Sequence, residues 1–476
     1  MSTGDLAAPR PLRTPRPPRG LPSLRTPRGQ LVASAAMHVV NDGLFAGLYP
    51  LLPLVAADLA LSYAQVGAVK TAFSGASSVL QLPAGIAAER MGEQLLLALG
   101  TGWVGLGLLA MALTGTYLPL LAASIAAGIG GNTQHPVATG IVSRLFDSGV
   151  AGRHGGVGAA TGVPARRAIG RRATAIGTLN FAGDVGKVLA PIVVGIAATF
   201  GGWRAGVTAL GAIGVVFGVL YWLVVPEPDG HERPASDVTL SRQPSTRAAG
   251  AQGVRERQGG AKSPHPPAVP PEKRILRSAQ DDGGAVTGGW GIRAPGTFSA
   301  LVAIGMLDSA ARGAALVFIP FLLQDKGAAP ASMSLYFSVL FAAGAAGKFI
   351  CGPLGDRFGN AGVIAITELV TAGALLGLLA APLALALLAL LPLGFVLNGT
   401  SSVLYASVAG LVHASRRARG YGLYYTCSQV ASSVAPLVYG VVADLFGLTA
   451  ALVTLAAVTA AIVPVALAVG NRLGEG

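Results

Sequence analysis

The 476 residues are 52% hydrophobic and only 12% charged, against about 25% charged in soluble chains, and mean hydropathy is +0.61; this excludes a soluble globular fold. A net charge of +13 would suit a nucleic-acid binder, but the basic residues gather in a tail and in loops between apolar runs, so no nucleic-acid partner is expected. Cys351 and Cys427 both lie inside apolar runs and supply neither a disulfide framework nor metal-ligand spacing.

Residues 1–30 hold Arg10, Arg13, Arg16, Arg19, Arg25 and Arg28 with Asp5 as the lone acid. They have too little apolar surface to fold and are predicted as a disordered tail. A membrane-crossing helix needs about 20 mostly apolar residues. Twelve segments qualify: 31–57, 63–88, 94–113, 117–143, 172–199, 204–225, 297–323, 331–354, 361–380, 382–411, 419–443 and 448–469. Backbone polar groups cannot go unpaired in lipid, so each is a helix. A polar linker rich in Pro, Gly, Arg and Ser, residues 226–296, separates six spans from six and is predicted disordered. The loop after the fourth span carries Arg144, Arg153, Arg166, Arg167, Arg171 and Arg172, and the loop after the tenth carries Arg416, Arg417 and Arg419. Alternate loops hold little positive charge beyond Arg204 and Lys326. The positive-inside rule then places both termini in the cytoplasm.

The chain repeats itself. Pro191 and Gly195 realign on Pro436 and Gly440 at a spacing of 245 residues, while Asp42 and Asn132 realign on Asp308 and Asn398 at 266. Gly85, Glu89, Arg90 and Gly92 realign on Gly352, Asp356, Arg357 and Gly359 at 267. The change in spacing marks an insertion of about 21 residues in the first half, assigned to 147–170, which a loop accepts at small entropic cost. The fold class expected is all-α polytopic, with twelve transmembrane helices in two pseudo-symmetric six-helix bundles, an arrangement that suits a transporter.

Polar residues inside spans need a reason, because a charge at mid-bilayer costs at least about 2.5 kcal/mol unless paired or wet. Asp42 and Asp308 occupy equivalent positions on the first helix of each half. His38 lies one turn before Asp42, and Arg312 one turn after Asp308. Asp184 and Lys187 are three apart on the fifth span, and Lys70, Lys348 and Glu368 stand singly. Asp42, assisted by His38, is expected to take and release a coupling proton, with Arg312 or Lys187 facing an anionic part of the substrate. The competing reading makes Asp308–Arg312 and Asp184–Lys187 internal ion pairs, and ties His135 to a carbonyl freed by Pro136. Asn41, Asn132, His135, Asn398 and Gln429 complete the candidate set. Pro191 and Pro436 are expected to kink their helices.

The stretch Gly352-Pro353-Leu354-Gly355-Asp356-Arg357-Phe358-Gly359 resembles the hallmark loop of the major facilitator superfamily. The first copy, from Gly85 to Gly92, departs from it with Ala88 and Glu89. The resemblance implies substrate bound between two rocking bundles. It also implies gating loops built on Gly85, Glu89, Arg90, Gly92, Gly352, Gly355, Asp356, Arg357 and Gly359, whose acid faces helix N-termini or basic neighbours. His38-Val39-Val40-Asn41-Asp42 and His135-Pro136 are similar to the fosmidomycin-resistance type of bacterial exporter, although Val137 stands where that type often carries an acid. Gly186 to Gly195 partly resembles the antiporter motif of drug exporters, with Ala190 and Val194 in place of glycines. These likenesses imply proton-coupled export of a small organic or drug-like molecule, by a monomer in the bacterial cytoplasmic (inner) membrane. Uptake of an organic anion is the alternative, and a non-transporting membrane sensor or enzyme the rival from another class. No Gly-x-x-x-x-Gly-Lys-Ser/Thr loop, His/Asp/Glu cluster or Gly-x-Ser-x-Gly elbow appears in the sequence, so no cofactor, metal or enzymatic role is expected.

Overall fold

The computed structural model describes residues 21–79, 87–88, 91–131, 134–147, 165–227, 290–413 and 416–473. Gly85, Glu89, Arg90, Asn132 and most of the predicted insertion and linker lie outside the described residues. The helices are α1 Pro27–Ala46, α2 Leu52–Leu59, α3 Tyr63–Val79, α4 Glu93–Ala112, α5 Tyr117–Gly130, α6 Gln134–Asp147, α7 Ala165–Val224, α8 Pro295–Asp325, α9 Pro330–Phe358, α10 Asn360–Ala380, α11 Ala386–Leu411, α12 Arg417–Phe446 and α13 Leu448–Leu473. Among the described residues nine helical runs are long and apolar enough to cross a membrane. The run within α7 contains two crossings, broken at Gly202, whose φ of 63° and ψ of −157° suit glycine. With α3 as the second span and α5 and α6 sharing the fourth, the twelve predicted crossings are accounted for.

Two boundaries differ from the sequence expectation. Order begins before residue 30, because Thr26 caps α1 by accepting from the Gly29 amide and Pro27 suits the first helical position. Gln30 is buried there, donating to the carbonyls of Leu24 and Pro226 at 2.9 Å each. Similarly, α7 starts at Ala165 rather than 172, so the end of the predicted insertion is helical. The end of the predicted linker is also ordered, with Ile292 bridging to Val412.

Packing repeats with the sequence. In the first bundle α1 packs on α7, α3 on α5 and α4 on α7; in the second, α8 packs on α12, α9 on α11 and α10 on α13. The bundles meet along two matching seams, α3 against α12 and α7 against α9. Glycines permit close approach within and between the bundles: a Cβ on Gly186 of α7 would lie 2.0 Å from the Val39 carbonyl of α1, and one on Gly67 would lie 2.1 Å from the Pro436 carbonyl across the seam.

The face where α1 begins and α13 ends is here the terminal face. At the opposite face one apolar cluster spans both bundles, joining Ala46, Leu52, Ala56 and Val66 to Phe318, Leu323 and Phe337. Toward the terminal face the clusters are separate, one holding Met37, Leu97 and Ile141, the other Leu301, Val403 and Leu411. The molecule is therefore sealed at the opposite face.

Arg204 and Lys326, the two basic residues on otherwise uncharged loops, each tie down a bundle at that face. Arg204 donates to Asp58 at 2.5 Å and to the Thr114 carbonyl at 3.0 Å. Lys326 donates to the carbonyls of Leu379 and Ala381 at 2.8 and 2.7 Å. Both cations are thus held by acceptors of their own bundle.

Candidate functional site

A cavity of about 330 Å3 lies between the bundles, lined by residues of α1, α6, α7, α8, α9, α11 and α12 among others. Its ceiling toward the opposite face is aromatic: Tyr49 lies 6.2 Å from Phe337 and 6.3 Å from Phe341, centroid to centroid. Lys70 is buried beside that ceiling, its ammonium 4.4 Å from the Tyr49 ring and 5.0 Å from that of Phe73. Cation–π attraction offsets part of the cost of burying this charge.

On α1, Asp42 meets His38 one turn earlier at 3.4 Å. The fold then adds partners from other helices. His135 of α6 lies 3.8 Å from the same carboxylate oxygen, and Lys187 of α7 lies 3.0 Å from the other. The arrangement depends on Gly183, where a Cβ would come within 2.6 Å of Asp42 Oδ2 and 2.8 Å of His38 Nε2. Lys187 also reaches Asp184 at 3.2 Å. Lys348 of α9, on the other bundle, donates to both oxygens of Asp184 at 2.6 and 2.9 Å. Four charges thus run from α1 through α7 to α9. Unpaired at mid-bilayer, four charges together cost on the order of 10 kcal/mol or more, and alternation of sign offsets this.

In the second bundle Arg312 reaches Asp308 at 3.4 Å, Ser309 Oγ at 3.1 Å and the Leu397 carbonyl at 3.5 Å. Glu368 of α10 is a further acid buried in this bundle, 1% exposed. The side chains of Lys187, Lys348 and Arg312 are 21–30% exposed, whereas those of Asp42, Asp184 and Asp308 are 5–9% exposed. The cations form most of the wetted surface; Asp184 and Asp308 stand behind them, while Asp42 reaches the cavity wall.

Of the sequence-predicted residues, Asn41, Asp42, His135, Lys187, Arg312, Asn398 and Gln429 line the cavity. His38, Asp184 and Asp308 stand one contact behind it. Asn41 also points at Thr101, 3.4 Å away. Pro191 and Pro436 lie inside α7 and α12. Gly92, Gly352, Gly355, Asp356, Arg357 and Gly359 lie at the terminal ends of α9 and α10 or before α4, away from the cavity. Asp356 and Arg357 are exposed, and among the described residues neither has an ion-pair partner, in keeping with bundles whose apolar clusters are separate there. Gly92 and Gly359, repeat-related, both have positive φ, 102° and 85°.

Sequence reasoning left Lys348, Tyr49, Tyr405 and Tyr425 outside the site, although all four line the cavity. A lone lysine in an apolar span was the available signal for Lys348; the tyrosines carry none. It also found no His/Asp/Glu cluster. The fold corrects this, since His38, Asp42 and His135 bring three ligand atoms within 4.8 Å of one another. Their helices are distant in sequence, so spacing does not reveal the group. The Lys187 ammonium already neutralises the Asp42 carboxylate, which makes the cluster a poor host for a further cation.

Comparison with known proteins agrees with this architecture. The sequence model of the Major Facilitator Superfamily matches residues 34–280 and 301–472. A 131-residue stretch is 30% identical to the fosmidomycin resistance protein of Escherichia coli strain K12, covering 28% of this chain and only 31% of that relative's length. Among solved structures, a bacterial homologue of the human lysosomal transporter Spinster, inward-facing and unoccupied, superposes with a TM-score of 0.65 at 18% identity, over 96% of this chain and 97% of that one. The nucleoside transporter NupG does so with a TM-score of 0.67 at 12% identity, over 92% and 99%. A peptide transporter in complex with sulfate gives 0.62 at 14% identity, over 94% and 95%. The chain is a membrane transporter, not an enzyme, and belongs to the major facilitator superfamily.

Proposed function

We propose that the protein exports a small polar organic molecule from a bacterial cytoplasm in exchange for protons, by alternating access, with both termini on the cytoplasmic side of the inner membrane. The carrying observation is Asp42: a carboxylate at the cavity wall, held by two imidazoles and an ammonium at 3.4, 3.8 and 3.0 Å. A donor group on the substrate and a proton compete for that carboxylate, so the site holds one or the other. The exposed ends of Arg312 and Lys348 receive an anionic group on the same molecule. At about 330 Å3 the cavity falls at the low end of small-molecule sites, which run from about 300 to 1,000 Å3. The Arg-rich loops at the terminal face support the orientation, and the partial likeness to a resistance protein supports export.

Proteoliposomes with an imposed pH gradient test the proton role. Asp42→Asn is expected to abolish gradient-driven movement while leaving exchange of substrate for substrate intact. Substrate still concentrated along the pH gradient by that variant rules the role out.

A second reading, uptake of an organic anion with a proton, has its own observation. Three cations and one ionisable acid line the cavity. Protonating Asp42 releases Lys187 for an anion, so proton and anion favour each other's binding. A panel of antibiotics and organic acids given to expressing cells separates the two readings. Raised tolerance supports export; unchanged tolerance with rising uptake of one acid supports import.

A further inference from the structure

The two seams between the bundles join repeat-related helices but differ in charge. On the α3–α12 seam Gly67 meets the Pro436 carbonyl and Gly440 meets Tyr63 and Ala64, where a Cβ would come within 2.5 Å of the Tyr63 carbonyl. On the α7–α9 seam Gly195, the repeat mate of Gly440, lies instead against Ser334, the mate of Gly67, with Ser338 donating to the Val188 carbonyl at 2.8 Å. One turn beyond Gly440, at the opposite face, Asp444 accepts from the backbone amides of Tyr63 at 2.8 Å and Ala64 at 2.9 Å. Those are the first two residues of α3, and they belong to the other bundle. The remaining amides of that first turn are satisfied locally, Gln65 by the Ser62 hydroxyl at 3.3 Å and Val66 by the Ser62 carbonyl at 3.0 Å.

The second seam has no counterpart. The repeat mate of Asp444 is Thr199, whose hydroxyl bonds the Ile196 carbonyl of its own helix at 2.7 Å. The mate of Tyr63 is Pro330, which has no amide hydrogen to give. The carboxylate also sits at a helix N-terminus, where the backbone dipoles favour negative charge. Parting the bundles at this face leaves two amides of α3 without their partner and removes an anion from the dipole.

We propose that Asp444 is a one-sided latch that holds the opposite face shut and so sets the balance between the two access states. The inference rests on the alternating-access reading above. It places a charged hydrogen-bonding contact between the bundles at the opposite face on α12.

Electron-electron distance measurements on full-length protein in nanodiscs test it. Spin labels go at Gly115→Cys and Ala329→Cys, exposed on opposite bundles at that face, in a background carrying Cys351→Ala and Cys427→Ala. Asp444→Asn is expected to raise the ratio of long to short distances about tenfold. Asp444→Glu, which keeps the charge, and Thr199→Val, on the mate seam, are expected to leave the ratio at its parental value. Two populations in the parent with an unchanged ratio in Asp444→Asn overturn the latch while alternating access stands. A single short distance in every variant, at pH 5 and pH 8 alike, overturns both.

Discussion

Gly183 is where the candidate proton site is most open to a quantitative test. A methyl group there would sit 2.6 Å from Asp42 Oδ2 and 2.8 Å from His38 Nε2, whereas ordinary contact begins near 3.4 Å. Gly183→Ala therefore displaces the carboxylate or the imidazole by roughly 0.8 Å, on a helix pair too close-packed to yield. Overpacking of this size costs about 1–3 kcal/mol, set against a gain of up to about 1 kcal/mol from alanine's better helix propensity. Gly177 supplies the control: it lies on the same helix with nothing within 4 Å of an added methyl, so Gly177→Ala collects the propensity gain alone. Proton-driven transport in proteoliposomes, at matched protein incorporation, is expected to fall tenfold or more for Gly183→Ala relative to Gly177→Ala. Thermal unfolding in detergent is expected to order the two variants the same way. Equal transport by the two variants refutes the claim that Asp42 and His38 work in the geometry described.

Two further outcomes follow from the same contacts. Lys348→Gln removes the cross-bundle pairing to Asp184, leaving that buried acid only Lys187 at 3.2 Å; substrate transport is expected to drop at least tenfold, with partial recovery in Lys348→Arg, and an unchanged rate would take Lys348 out of the site. Gly359→Ala forces a side chain into φ of 85° at a cost of about 1–2 kcal/mol, so its melting temperature in detergent is expected to fall, whereas Gly362→Ala, within α10 and with open space around it, is expected to hold or raise it.

Some contacts were legible because they lie within one helix. His38 with Asp42, Asp184 with Lys187 and Asp308 with Arg312 are spaced three or four apart, and a helix brings such residues together whatever surrounds it. Pro191 and Gly195 matching Pro436 and Gly440 made the duplication of the two halves legible. Helix ends were less legible: α1 begins at Pro27 because Thr26 and Gln30 find partners, one of them the Pro226 carbonyl 196 residues away in sequence.

Composition and periodicity alone determined that the chain crosses a membrane as twelve helices in two duplicated halves, because lipid leaves the backbone no alternative to pairing within each span. Only the tertiary structure decided that His135 joins Asp42, that Lys348 reaches across to Asp184, that Lys70 lies against aromatic rings and that Asp444 caps a helix of the other bundle. Such contacts depend on how each helix is rotated and tilted against its neighbours. That rotation comes from packing between glycines and large side chains far apart in the chain, which no local pattern records.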